Sequence, residues 1–539
     1  MANTFKKVID RQMWVQVPPA PSVQPAAMST ACDMRNDSTR NPFVYQLISN
    51  AILYRFNIIT KAWQSAVATP LTAGTFGAGS TSAFAPSLGV VGTIASGATT
   101  TRVTLTTALP TAVGLNMLAN RGGSGELGFR LRIIDSTAGK TEERWIVVNS
   151  AGTTPAIDVD VAFSFTPATG ARYELLCGEL FMLGSGTLAT GAFRTFEPAT
   201  NTLANKSITN LPATLSTDSA MLVLDEQYVP YDNKPGEGMI KGGHDTDTAG
   251  GTRFALLATG SGASTITGRA TGGDASVVAN EYRNFQIRIV EDTTTPTAVG
   301  QRRIIASHTA GPSAIYTTGT AWTVTPSTHA KFVIEQPNLL VLRTTANTTT
   351  YTYNYGDATV NNGTNSIAAD AWSTTYFGTA PAANGAGCLW CPSFGIQPDV
   401  GRNARHSFNY FFRGGASVTL DLLDIAGSIT GTWTGAITYD GNVGGMGTGS
   451  TGCYSPYGQE GRFSYINQYV ASTVNQIFRF DVKNRVLSPY TPTDFLQSGT
   501  AALGSRMAAY AAIDGSNKYD VVYLMSHLSS VSQELVVLV

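Results

Sequence analysis

Tyr54-Arg55-Phe56-Asn57-Ile58, followed across a polar turn by Thr60-Lys61-Ala62-Trp63, reads as a β-hairpin. Apolar and polar residues alternate with a period of two, so each short strand has one apolar face, and the residues between are turn formers. The phrase returns at Phe193-Arg194-Thr195-Phe196-Glu197 with Thr200-Asn201-Thr202-Leu203, and at Phe478-Arg479-Phe480-Asp481-Val482 with Asn484-Arg485-Val486-Leu487. Weaker versions are Tyr351-Thr352-Tyr353-Asn354-Tyr355 and Leu422-Leu423-Asp424-Ile425, the latter leading to Trp433. A phrase that recurs along a chain marks an array of similar units.

Two further strands precede each hairpin. The first is made of small residues: Ser29-Thr30-Ala31-Cys32, Thr81-Ser82-Ala83-Phe84, Asp218-Ser219-Ala220-Met221, Ala386-Gly387-Cys388-Leu389, Thr451-Gly452-Cys453-Tyr454 and Met507-Ala508-Ala509-Tyr510. Small residues suit strands that converge on a crowded axis. The second is apolar: Phe43–Leu47, Leu180–Leu183, Leu339–Leu342, His406–Tyr410, Arg462–Tyr465 and Tyr519–Leu524. Small inner strand, apolar second strand and hairpin make a four-stranded unit, and six can be counted. The unit resembles the blade of a kelch-like β-propeller, although the double glycine of the kelch signature is missing from most copies. The last copy runs out of chain at Glu534–Val539. Trp14-Val15-Gln16-Val17 is expected to supply its missing strand and close the ring, since an open ring leaves sheet edges unpaired.

Two large insertions fall at the same point, between the first and second strands of a unit. Phe129-Arg130-Leu131-Arg132-Ile133-Ile134-Asp135 matches Phe285-Gln286-Ile287-Arg288-Ile289-Val290-Glu291, an offset of 156. Phe163-Ser164-Phe165-Thr166-Pro167 matches Trp322-Thr323-Val324-Thr325-Pro326, and Ala171-Arg172-Tyr173 matches Ala330-Lys331-Phe332, an offset of 159. The three extra residues are expected in the turn near Thr293–Pro296. The expected fold is all-β: a six-bladed β-propeller with two homologous inserted β-sandwich or barrel modules. The expected segments are 1–87 propeller, 88–177 first module, 178–225 propeller, 226–337 second module and 338–539 propeller.

Composition narrows the function classes. Of 539 residues only 13 % are charged, about half the usual share; Thr, Ser, Ala, Gly and Asn fill the gap. The net charge of −1 provides no basic excess for phosphates. No apolar run approaches the roughly 20 residues of a membrane span. Met1–Lys7 leads into Val8-Ile9-Asp10-Arg11 and not into a signal core, so synthesis in a cytoplasm is expected.

The candidate chemical groups have plain readings. The five cysteines are Cys32, Cys177, Cys388, Cys391 and Cys453; an odd, scattered set argues against a disulfide framework. Cys388-Leu389-Trp390-Cys391 is a CxxC without a second pair, and Cys32, Cys388 and Cys453 read as small core residues. The histidines, His244, His308, His329, His406 and His527, form no helical metal pair. Gly139-Lys140-Thr141 looks like the end of a phosphate loop, but Ile134 stands where the first glycine is needed and the setting is a hairpin. Gly447–Gly452 fits G-x-G-x-x-G, yet a strand follows instead of a helix. His244-Asp245-Thr246-Asp247 offers alternate carboxylates to a cation without a bidentate partner. Asp158 and Asp160 share a strand face and are expected in solvent. Tyr351, Tyr353 and Tyr355 share another, and suit either packing or stacking on sugars. No catalytic, cofactor-binding or metal-binding residues are expected, and no cofactor.

The insertions carry a more specific likeness. Phe285–Val290 with Gly300-Gln301-Arg302-Arg303-Ile304-Ile305, then Ala321–Pro326, resembles a module common in virion proteins of tailed bacteriophages. The propeller-plus-module plan resembles a tail nozzle or neck-ring protein of short-tailed phages. The resemblance implies a non-enzymatic structural component of the virion tail, made in the host cytoplasm. It implies a homo-oligomeric ring that contacts the tail adaptor, fibres or other tail proteins, with DNA passing transiently through its lumen. A receptor- or glycan-binding propeller on the virion surface is the alternative. A propeller enzyme is disfavoured by the lack of clustered histidines, paired carboxylates or an activated nucleophile.

Overall fold

The computed structural model describes residues 14–16, 28–32, 43–48, 52–57, 62–63, 76, 79–109, 129–200, 202–215, 219–226, 256–268, 278–311, 313–344, 346–393, 407–440, 444–454, 462–470, 474–489, 506–514, 517–527 and 533–538. These are all-β, with no α-helix among them and a propeller-like arrangement of sheets.

The body consists of four-stranded antiparallel sheets, each a meander in which consecutive strands pair. The first contains Met28–Cys32, Phe43–Ile48, Ile52–Asn57 and Ala62–Trp63. The second contains Thr81–Ala85, Glu179–Leu183, Phe193–Glu197 and Thr202–Asn205. The third contains Ala220–Leu224, Leu339–Arg343, Tyr351–Asn354 and Ala371–Ser373. The fourth contains Leu389–Pro392, Phe408–Phe412, Leu420–Asp424 and Thr432–Ile437. The fifth contains Thr451–Tyr454, Phe463–Val470, Val474–Asp481 and Val486–Pro489. The sixth contains Arg506–Asp514, Asn517–His527 and Gln533–Leu538, and its outer strand is Trp14–Gln16. Trp14 pairs with Leu538 and Gln16 with Val536, so the chain's first described strand completes its last sheet.

Burial follows from how such sheets stack. In the fourth sheet the first strand is buried throughout, whereas the outer strand Thr432–Ile437 alternates between exposed and half-buried. Inner strands are covered on both faces by neighbouring sheets. The inner strands lie side by side in chain order, and Met28–Cys32 also lies beside Arg506–Asp514. Aromatic rings fill the gaps between sheets. Tyr45 stacks on Phe84 at 5.7 Å, Phe193 meets Tyr353 edge-on at 4.9 Å, and Phe412 meets Phe480 at 5.1 Å. Such aromatic pairs contribute about 0.5–1.5 kcal/mol beyond burial.

The chain between the first and second strands of the second sheet pairs with itself. Val91–Thr93, Arg102–Thr104, Arg130–Asp135, Lys140–Asn149, Ala156–Val159 and Arg172–Leu176 form a closed circuit of antiparallel pairings. The gap in it is closed by an Ile94–Leu105 bridge. The chain between the first and second strands of the third sheet does likewise. Leu256–Gly262, Thr265–Gly268, Gln286–Glu291, Arg302–His308, Ile315–Thr318 and Lys331–Glu335 close into a second barrel. Leu131 and Ile133 in one barrel, and Ile287 and Ile289 in the other, are wholly buried. The pairing of Lys140 with Glu291 joins the barrels into one continuous sheet.

The barrels hold one loop in the same way. Asp135 Oδ2 accepts from the Ala168 amide, and Asp292 Oδ2 from the Ser327 amide. Glu142 accepts from the Ser164 amide, and Gln301 from the Thr323 amide. Arg144 donates to the Ala162 carbonyl and lies over Phe163; Arg303 donates to the Ala321 carbonyl and lies over Trp322. These correspondences correct the expected register. Asp135 corresponds to Asp292, not Glu291, because the second barrel has a bulge between Ile289 and Glu291. One of the three extra residues therefore sits in the strand and two in the turn. Two inner strands also lie later than expected, at Ala220–Leu224 and Leu389–Pro392, so Cys388 falls just before its strand.

Candidate functional site: a buried ionic junction

Strand alternation puts Arg130 and Arg132 on the outside of the first barrel, opposite the inward Leu131 and Ile133. In the second barrel Gln286 and Arg288 take the corresponding positions. These outward faces meet each other and the end of the strand Ala220–Leu224, where the chain continues through Asp225 to Glu226. Arg132, fully buried, reaches Glu143 at 2.7 Å, Glu174 at 2.8 Å and Glu226 at 2.6 Å. Arg302 reaches Glu174 at 3.2 Å and Glu226 at 3.6 Å. Arg288 grips Glu335 through two parallel bonds of 3.0 Å. Gln286 donates to Glu335 at 2.9 Å and to Glu226 at 3.4 Å. At the rim Arg130 holds Glu143 at 2.8 Å, and Arg172 bridges Glu174 at 3.1 Å to Asp357 of the body at 2.5 Å.

The electrostatics divide the carboxylates. Burial opposes ionisation of Glu226, but Arg132, Arg302 and Arg288 outweigh it and hold its carboxyl at about 2. Glu174 is likewise buried and held well below the usual carboxylate range by Arg302, Arg132 and Arg172. For Glu335 burial is the largest influence; Arg288 opposes it, Glu226 reinforces it, and the carboxyl stands at about 7. A cleft lined by Gln286, Arg302, Arg303, Asn338 and the loop Gly356–Asn361 opens onto this junction. Every carboxylate of the junction is engaged by arginine, so the arrangement ties the two barrels to each other and to the body.

The residues singled out from sequence lie elsewhere. Tyr351, Tyr353 and Tyr355 are buried, at 5, 0 and 9 % exposure, so they are core side chains and not a sugar-stacking face. Tyr353 bonds Asp370, and Tyr355 donates to the Leu224 carbonyl. Cys388 and Cys391 are buried, and burial pushes the Cys391 thiol up to about 12. Cys453 and Cys177 are buried too, while the Cys32 side chain lies outside the described residues. His308 Nε2 accepts from the Tyr282 amide inside the second barrel; His329 is exposed. Asp158 is ion-paired with Arg102, and Asp160 accepts from the Trp145 amide. Gly139 turns the hairpin Arg130–Asn149 with φ +67°, and Gly447–Gly452 runs into the strand Thr451–Tyr454. His244–Asp247, His406 and the His527 side chain lie outside the described residues. Sequence reading passed over the junction itself. Its signal was Arg132 and Arg288, charged residues at matching strand positions in a chain with few charges.

No known family profile and no curated protein matches this chain. Among solved structures, a triple arginine-to-alanine mutant of AofleA from Arthrobotrys oligospora superposes with a TM-score of 0.33 at 7 % identity, covering 98 % of this chain and 86 % of that one. The C-terminal WD40 domain of Sif2 gives 0.27 at 8 % identity, covering 98 % and 99 %. The phage phi92 endosialidase gives 0.25 at 9 % identity, covering 97 % and 59 %. At these scores none of them assigns a function. No helix among the described residues is long and apolar enough to cross a membrane.

Proposed function

We propose that this chain is a non-enzymatic structural component of a phage virion, an oligomeric tail nozzle or neck ring through which DNA passes. In this reading the body is a six-bladed propeller made of residues 1–87, 178–225 and 338–539. The segments 88–177 and 226–337 are two copies of one inserted barrel module. The observation that carries the reading is the junction. Two barrels share one hydrogen-bonded sheet and are pinned to the body by Arg132–Glu226 and Arg172–Asp357, a construction suited to transmitting force between parts of the chain. Low charge and a hydroxyl-rich surface suit a wall covered by neighbours and a lumen to which DNA does not stick. The propeller forms the ring wall, and the barrels reach sister subunits, the adaptor or fibres.

Tyr351, Tyr353 and Tyr355 are core side chains and offer the glycan-binding alternative no stacking face. Light scattering across a concentration series, alone and with tail extract, tests the ring. A closed ring in either condition supports it and gives its symmetry. A persistent monomer that binds cell-surface glycans overturns it.

A further inference from the structure

Glu226 and Glu335 reach the junction from different parts of the fold, one from the body and one from the last strand of the second barrel. Both are fully buried, and one Gln286 amide donates to both. Two carboxylates in so dry a site repel unless cations separate them or a proton joins them. The cations are already shared. Arg288 is taken up by Glu335. Arg132 and Arg302 divide themselves among Glu226, Glu174 and, for Arg132, Glu143. The contact from Arg132 to Glu226 is at ion-pair distance without hydrogen-bond alignment. The three inner arginines thus face four carboxylates. Arg130 and Arg172 compensate only at the rim, on Glu143 and Glu174, and Arg172 is shared with Asp357. Gln286, which donates to both carboxylates, and Arg302, which faces Glu226, line the cleft.

We infer that the Glu226–Glu335 pair is a proton-operated latch between the body and the second barrel, closed while the pair holds one proton and weakened when both carboxylates ionise. The proton leaves as one H⁺ to solvent. Glu335 carries it, because its carboxyl is raised to about 7 while that of Glu226 is held at about 2. The sign follows from linkage. Between its ordinary value of 4.5 and about 7, Glu335 is protonated in the closed junction and ionised in the opened one. The junction therefore loses stability as pH rises through that window, and levels off above it.

Hydrogen exchange on the intact chain tests this, with rates corrected for the intrinsic effect of pH. The amides of Gln286–Glu291 and Lys331–Glu335 are compared with those of Phe408–Phe412 in the fourth sheet. Protection at the junction is expected to fall at least about tenfold relative to the reference between pH 5 and pH 7, then to plateau. Glu335→Gln, which mimics the protonated state, is expected to abolish the fall; Glu226→Gln removes the repulsion but leaves the larger influence of burial, and is expected to reduce it. Parallel behaviour of junction and reference strands in the wild-type protein would overturn the latch even if neither variant folded. So would an undiminished fall in Glu335→Gln. Neither result bears on whether the protein forms rings.

Discussion

Arg132 is the residue on which the junction turns: fully buried, it touches carboxylates from the first barrel and the body at once. A buried ion pair adds little over a well-packed apolar substitute, but losing one partner strands the other. Arg132→Met leaves Glu226 to Arg302, and Glu174 to Arg302 and Arg172. It is expected to cost about 3–5 kcal/mol, read as a shift of the urea midpoint at unchanged slope; a loss below about 1 kcal/mol would show that the carboxylates find other partners. Acid acts on the same groups. Glu174 and Glu226 have depressed carboxyls, so the stability they contribute is present above their ordinary value of 4.5 and drains away as pH falls toward about 2. Melting temperatures measured from pH 5 down to pH 2 are expected to fall steadily, and to fall less in Glu226→Gln.

The loop clamp belongs to the scale of the element. One aspartate in each barrel ties a hairpin turn to a distant loop. Asp292 accepts from the amides of Thr294, Thr295 and Ser327, as Asp135 does from those of Thr137, Ala138 and Ala168. Hydrogen bonds to a charged acceptor contribute about 1.5–3 kcal/mol each when they cannot be replaced, and less where water enters. Asp292→Ala is therefore expected to cost about 2 kcal/mol and to expose the loop near Ser327 to limited proteolysis, while the loop at Ala168 stays protected. Cleavage at both loops would mean that the barrels unfold together. Gly139 shows the contact between the barrels from the other side: a Cβ there would meet the Asp292 carbonyl oxygen at 2.4 Å.

At the scale of the whole molecule the decisive contact is the pairing of Trp14–Gln16 with Val536–Leu538. It joins the two ends of the described chain, so unravelling of the sixth sheet requires both to let go. Deleting residues 1–17 exposes the Gln533–Leu538 edge, which carries Leu535-Val536-Val537-Leu538, and unpaired apolar edges recruit other chains. The truncated protein is expected to melt at lower temperature and to aggregate at concentrations where the full chain stays dispersed. Equal melting temperatures would show that this strand does not contribute to closure.

The all-β class, the four-stranded unit and the strand at Trp14 that pairs onto the last sheet were legible in the sequence, because they rest on local alternation, on short recurring phrases and on an edge left without a partner. Phe193–Glu197, read from its alternation, and Thr451–Tyr454, read from its small residues, are strands with the expected bounds. Strand alternation places Arg132 and Arg288 on the face opposite Ile133 and Ile289. It could not show what covers that face. Whether an outward arginine meets water or three carboxylates depends on how the barrels lie against each other and on the body, through contacts between residues far apart in the chain. The same holds for Tyr351 and Tyr353: a strand position specifies a face, and only the neighbouring sheet decides that the face is buried. The bulge at Val290 was hidden for a related reason, since one extra residue in a strand leaves the apolar pattern readable on either side and shifts only the partners across the ladder.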